Sequence, residues 1–243
     1  MGKKTLIIGA SSDLASKLIP LLVHDRHLLG LHWAHNKNAL ENYEIEKNVK
    51  LFHQVIMKEE DCKNLIYDYV KWVDGIDNLL VLMGDINRNC HWSELSYEDM
   101  SADYAMNAIF PFLLAKYAYQ HMVSQGGRIV FVSTASAQHG GGSFSLGYGM
   151  AKAALECATK GLAKSMAQYK ILVNAIAPGY MDTKFHTDKM KRTPKEMEER
   201  ALFVPLKRAG TKEEFAGLVK YLLSEEATFL TGQIITLDGG DFI

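Results

Sequence analysis

Tyr148 and Lys152 stand four residues apart in Tyr-Gly-Met-Ala-Lys, a spacing that puts both side chains on one helix face, one turn apart. Their chemistry is complementary. A free phenol, with a pKa of about 10, is a poor acid–base group near neutrality. A lysine ammonium ~4 Å away, at an effective dielectric of ~20, favours the phenolate by about 4 kcal/mol. That is worth roughly three pKa units before desolvation opposes it. A tyrosine tuned in this way protonates a nascent alkoxide, or deprotonates an alcohol in reverse. A nearby hydroxyl would hold the carbonyl oxygen as its charge develops. Upstream, the β-branched run Ile129 to Val132 ends in Ser133 and Thr134, with Ser136 close by, and the glycine-rich loop Gly140 to Gly142 follows. Spacing alone does not select this pair, because Tyr43 and Lys47, Tyr67 and Lys71, and Tyr180 and Lys184 share it. Context does: only Tyr148 follows a strand that ends in hydroxyls and a glycine loop.

Strands and helices alternate along the whole chain. Apolar or β-branched runs at residues 3–9, 28–34, 49–55, 78–83, 129–132, 171–177 and 233–237 read as buried strands. Helical periodicity covers 59–73 and 213–223, and a helix capped by Asp13 is expected through about Val23. A polar helix is expected from Asn38, and the helix of the Tyr148 face should run to about Tyr169. A long helix is expected over 93–123, bent near Pro111. This alternation implies α/β architecture: one doubly wound parallel sheet of the Rossmann type, in a single domain spanning 1–243. Residues 184–210 are charged, interrupted by Pro194 and Pro205, and expected as an excursion on the substrate side, either surface loop or lid.

Ligands bind such sheets at the carboxyl ends of the strands, so the turn after the first strand is the expected phosphate site. It reads Gly9-Ala10-Ser11-Ser12-Asp13-Leu14-Ala15. Backbone N–H groups at that helix start would hold a pyrophosphate, and the serines could add donors. Asp13 stands there as a carboxylate beside a phosphate, or caps its own helix. After the second strand come His35-Asn36-Lys37, with no carboxylate to receive a ribose 2′-hydroxyl, which favours NADP over NAD.

Composition narrows the class. The 243 residues are 48% hydrophobic and 23% charged, with a formal net charge of −1, which leaves no basic footprint for nucleic acid. No apolar run approaches the roughly 20 residues of a membrane span. Cys62, Cys90 and Cys157 are odd in number and irregularly spaced, as expected of free thiols in a cytoplasmic protein. His24 with His27, and His32 with His35, lack supporting ligands for a metal, so none is expected. His139 could line a substrate pocket. Trp72 and Trp92 are read as packing residues.

Six segments, in this order, resemble the short-chain dehydrogenase/reductase family, nearest its 3-oxoacyl-[acyl-carrier-protein] reductase-like branch. They are Gly9-Ala-Ser-Ser12, Asn107 in Met-Asn-Ala-Ile-Phe, Gly127-Arg-Ile-Val, Tyr148-Gly-Met-Ala-Lys152, Asn174 to Thr183, and Thr231 to Gly240. The resemblance implies Tyr148 as general acid and Lys152 as the residue that lowers its pKa and binds the nicotinamide ribose. It implies Asn107 as holder of a relay water, and Thr134 in the place of a catalytic serine, with Ser133 as its neighbour. For the cofactor it implies Gly9, Ser11, Ser12, Asp13 and Leu14, then His35 and Asn36, and Gln54 and Val55 beside adenine. Gly84, Tyr148, Lys152, Pro178, Gly179, Met181 and Thr183 would complete the cradle. Asp13 and Ala15 replace two glycines of the family turn, and Val81-Leu82-Met83-Gly84 replaces its Asn-Asn-Ala-Gly. The implied activity is NAD(P)H-dependent reduction of a carbonyl, a 3-oxoacyl thioester first, then a keto-sugar or small secondary alcohol. A non-catalytic nucleotide-binding or regulatory member of the fold is the competing expectation. A homo-oligomer, dimer or tetramer, built on the helices around 97–122 and 146–169 is also implied.

Overall fold

The computed structural model describes residues 2–241. The chain alternates as expected: β1 (Lys4–Ile8), α1 (Leu18–His24), β2 (Leu28–Trp33), β3 (Val49–His53), α2 (Glu59–Val73) and β4 (Asn78–Val81). Then come α3 (Tyr97–Tyr104), α4 (Phe110–Tyr119), β5 (Gly127–Val132), α5 (Ser136–His139), α6 (Leu146–Met166) and β6 (Ile171–Pro178). The chain continues through α7 (Lys184–Asp188), α8 (Pro194–Phe203), α9 (Lys212–Leu223) and β7 (Ile234–Leu237).

All seven strands are parallel, in the order β3-β2-β1-β4-β5-β6-β7. The order reverses between β1 and β4, and a crevice for ligands opens at such a switch point. Successive residues of β1 point to opposite faces: Leu6 and Ile8 join one apolar cluster with α2, α4 and α6, and Ile7 joins another with α1 and α9. Both faces are thus covered, which is why the strands read as continuous apolar runs. No helix among the described residues is long and apolar enough to cross a membrane.

Four expectations on helices are corrected. Asp13–Lys17 forms a 3-10 turn before α1, with no side-chain cap at its start. Asn38–Tyr43 is likewise only 3-10. The helix expected over 93–123 is α3 and α4 joined by a π-helical stretch at Ala105–Ile109, where Phe110 N donates to Ala105 O five residues back. Pro111 has no N–H for the carbonyl of Asn107 four residues earlier, so the ladder widens there rather than bending. Residues 184–210 are not a structureless loop. Thr193 and Glu196 form a reciprocal capping box, with Pro194 at the first helical position, and α8 follows.

Candidate active site

A cavity of about 1220 Å³ opens at the carboxyl ends of the strands, walled by the turn after β1, the end of β5, the first turn of α6 and the segment after β6. β5 delivers Ser133 and Thr134 to its floor. The Thr134 hydroxyl stands beside the Tyr148 phenol and accepts from Ser136 N at 3.3 Å. The Ser133 hydroxyl instead donates to Glu156 Oε1 at 2.7 Å, one helical turn beyond Lys152 on α6. Of the two hydroxyls expected from the sequence, the structure joins Thr134 to the tyrosine and turns Ser133 into a tie between β5 and α6.

Lys152 is fully buried, with Nζ donating to Val132 O at 2.7 Å and Met83 O at 3.2 Å. It lies 5.9 Å from the centroid of the Tyr148 ring. Burial alone brings its pKa down to about 7. The phenol moves the other way. Burial pushes the Tyr148 pKa above its ordinary value, the neighbouring Thr134 hydroxyl opposes this, and the carboxylates of Asp85 and Asp103 add to the rise. The expectation that Lys152 pulls the phenol down is therefore corrected for this geometry. Desolvation acts on both groups, and the ammonium is turned to two carbonyls rather than to the phenol oxygen.

Asn107 sits on the π-helical stretch, fully buried, and does not line the cavity. Its amide donates to Asp85 O at 2.7 Å and Asp103 O at 2.9 Å, and its Oδ1 accepts from Asp85 N at 3.1 Å. It braces the loop after β4 behind Lys152. Gly84 shows how tight this corner is, since an added Cβ would lie 2.9 Å from Lys152 Nζ and 3.0 Å from Asn107 Oδ1. Displacing a lysine tip is cheap in stability but moves a functional atom. Gly84→Ala is therefore expected to lower kcat at least tenfold while shifting the melting temperature by only a few degrees. An unchanged kcat would show that the corner tolerates the displacement.

The turn after β1 fits a dinucleotide phosphate. Gly9 has φ +75°, a conformation that favours glycine, and an added Cβ would meet Met83 N at 3.2 Å. The Ser12 hydroxyl is buried and has no protein partner, as expected of a donor reserved for a ligand. Asp13 lines the cavity with its carboxylate occupied: Oδ2 accepts from Lys184 N at 2.9 Å and lies 3.3 Å from Lys212 Nζ, which offsets its charge. Ser11, Leu14 and Asn36 line the same wall, and Pro178, Gly179, Met181 and Thr183 the opposite one. His35, Gln54 and Val55 do not line it; His35 is exposed, and the Gln54 amide donates to Val55 O at 3.0 Å.

His32 holds this turn from below. Gly9 N donates to His32 Nδ1 at 3.1 Å, which places the ring proton on Nε2, 2.8 Å from Gln54 O. Burial takes its pKa down to about 4. The unfolded chain then binds this proton more readily below pH ~6.5. The contribution is complete above pH ~6.5 and is lost as pH falls towards 4. Melting temperature is expected to fall from pH 6.5 to 5, less steeply in His32→Gln; identical slopes would remove this role.

A family model described as Enoyl-(Acyl carrier protein) reductase matches residues 29–241. The chain belongs to the short-chain dehydrogenase/reductase family. It is an NAD(P)-dependent oxidoreductase. A similar relative is the 3-oxoacyl-[acyl-carrier-protein] reductase FabG of Aquifex aeolicus, 31% identical over 85% of this chain and 79% of that protein. Among solved structures, a short-chain dehydrogenase/reductase from Serratia marcescens covers 100% of this chain and 99% of its own, with TM-score 0.90 at 24% identity. YwfH, an NADPH-dependent reductase involved in bacilysin biosynthesis, covers 99% of both chains with TM-score 0.89 at 25% identity.

In this short-chain dehydrogenase/reductase the segment after Thr183 contributes more than the sequence reveals. Phe185, His186, Lys189, Arg192 and Arg200 all line the cavity. The capping box at Thr193 marks a helix in the sequence, but nothing there says which side chains face inward. The apolar substitutions after β4 also gain a reason. Leu82 is buried, and the carbonyl of Met83 anchors Lys152, a contact that depends on no side-chain amide.

Proposed function

We propose that the protein is an NADPH-dependent carbonyl reductase in which Tyr148 gives the proton to the carbonyl oxygen. The carrying observation is the meeting of Thr134, Tyr148 and buried Lys152 at the wall of the large cavity. The nicotinamide supplies hydride when bound. Ser12, the Gly9 turn, Thr183 and the Pro178-Gly179 segment would hold the dinucleotide, with Gly84 leaving room beside Lys152.

The protein's own part follows from its geometry. Thr134 and Tyr148 bring two hydroxyls to one wall of the cavity, where a carbonyl oxygen would receive two hydrogen bonds that strengthen as it becomes an alkoxide. A phenol held above its usual pKa is fully protonated at neutrality, and so serves as donor rather than base. Lys152, with a pKa of about 7, exchanges protons readily at neutral pH and can restore the phenol. Asn107 fixes the loop carrying Asp85 and so positions the relay from behind, its own amide being bonded to Asp85 and Asp103. Apolar Phe185 and Met181 keep bulk water from the reacting carbon.

A 3-oxoacyl thioester is the first substrate to try, with a keto-sugar or small ketone next. Oxidation of NADPH, followed by nicotinamide absorbance with such a panel, tests the reading. No turnover with retained dinucleotide binding would favour a non-catalytic role. NADPH is preferred because β2 ends in His35-Asn36-Lys37 without a carboxylate; tenfold tighter NADH binding would reverse this. Exposed Ile109, Phe112 and Met150 on the π-helical stretch, α4 and α6 support a homo-oligomer. A monomeric mass in light scattering would rule that out.

A further inference from the structure

Beyond Tyr148 the cavity continues past Phe185 to His186, with ring centroids 6.1 Å apart for Tyr148 and Phe185 and 5.9 Å apart for Phe185 and His186. Cations gather at this end. Arg200 is paired with Asp241 and lies 5.5 Å over the Tyr180 ring. Lys189 is paired with Asp85 at 2.6 Å. Arg192 lines the cavity, and no carboxylate among the described residues lies within ion-pair distance of it. Of the two acids four residues away in sequence, Glu196 has its carboxylate bonded by Thr193 N and Oγ1 at 2.7 and 2.8 Å, and Asp188 accepts from Thr187 Oγ1 at 3.0 Å. Beside Arg192, whose backbone N–H donates to His186 O, the ring nitrogen Nδ1 of His186 is buried without a partner.

An unpaired guanidinium lining the cavity, and beside it a buried imidazole nitrogen without a partner on a residue of the same wall, form a receptor for an oxyanion. The charge count sets its class. Arg200 and Lys189 are already paired, and Asp188 offsets Lys184 among the other lining charges, so one positive charge remains, which matches a monoanionic carboxylate better than a phosphate dianion. We propose that Arg192 and His186 form a carboxylate subsite, and that the substrate is an oxo-acid whose carboxylate is separated from the reacting carbonyl by an apolar spacer lying along Phe185. This rests on the carbonyl-reductase reading above. A carboxylate adjacent to the carbonyl does not suit the arrangement, because Phe185 stands between the two polar ends. The positive potential at His186 agrees: after burial, the guanidinium groups of Arg192 and Arg200 both push its pKa down, outweighing Asp182.

The test compares 6-oxoheptanoate with its methyl ester and with 5-oxohexyl phosphate, using NADPH and the full chain. In the wild type, kcat/KM for the acid is expected to exceed that for the ester by about 10–100-fold, the worth of a charge-assisted hydrogen-bonded contact. Arg192→Met should bring that ratio close to one, and Arg192→Lys should restore part of it. Equal values for acid and ester in the wild type, a ratio that survives Arg192→Met, or a tenfold preference for the phosphate would each overturn the carboxylate subsite. So would a tenfold loss of NADPH affinity in Arg192→Met with the ratio intact, which would assign the guanidinium to the dinucleotide. If no ketone is reduced, the reductase reading fails by itself, and binding then decides the subsite. In that case 6-oxoheptanoate, but not its ester, should raise the melting temperature of the NADPH-loaded wild type and not of Arg192→Met; no such difference overturns it.

Discussion

Tyr148→Phe is expected to lower turnover by about 10²–10⁴-fold, the usual worth of a positioned proton donor. Dinucleotide affinity should stay within about threefold of wild type. The substitution keeps the ring, its contact with Phe185 and its place on α6, and removes only the oxygen beside Thr134. Stability should barely change, because the lost polar contact and the relieved burial of a hydroxyl oppose each other. Thr134→Val is the companion, removing the second hydroxyl at nearly constant shape. Each variant leaves the other donor in place, so their effects should not add. Tyr148→Phe with turnover near wild type, measured by NADPH absorbance, would falsify the assignment of the proton donor. A large loss of NADPH affinity would instead make Tyr148 chiefly a cofactor-binding group.

The sheet was legible because both of its faces are covered, so that strands such as β1 and β4 are unbroken apolar runs that stand out from polar turns. Positions set by competition between chemistries were less so. Of four tyrosine–lysine pairs at the same spacing, Tyr67 lies on an exposed helix face and Tyr180 donates to Met197 O at 2.9 Å. Only Tyr148 meets a hydroxyl at the end of a strand, and that context is readable in order along the chain. The division of labour between Ser133 and Thr134 is not, because it depends on Glu156, 23 residues away, accepting the serine proton. Asp13 likewise looks hostile to a phosphate until Lys184 and Lys212 arrive from the other side of the fold. The widening of the helix at Ala105–Ile109 could have been read from Pro111 and its missing N–H, and α8 from Thr193 and Glu196. In both places the local signal lies in turn and cap chemistry rather than in apolar periodicity.

Lys152→Met should separate catalysis from stability most clearly. The ammonium is buried against Val132 O and Met83 O, with no carboxylate among the causes that set its pKa. Its folded pKa of about 7 lies below the ordinary lysine value, so between the two the unfolded chain binds more protons than the folded one. The Lys152 contribution to stability then rises with pH from about 7 to about 10, and the cost of burying the charge is full below pH ~7. Tyr148, shifted the opposite way, begins to weaken the fold only above the ordinary phenol pKa of about 10, outside this window. Methionine fills a similar volume without charge. Lys152→Met should therefore melt higher than wild type at pH 6, converge with it as pH approaches 10, and lose the upward slope between. Turnover should fall at least a hundredfold at every pH, because the phenol then has no route to recover its proton. Parallel melting curves in the two proteins from pH 6 to 10 would mean that the ammonium is solvated or paired, and that its proton is not available near neutrality.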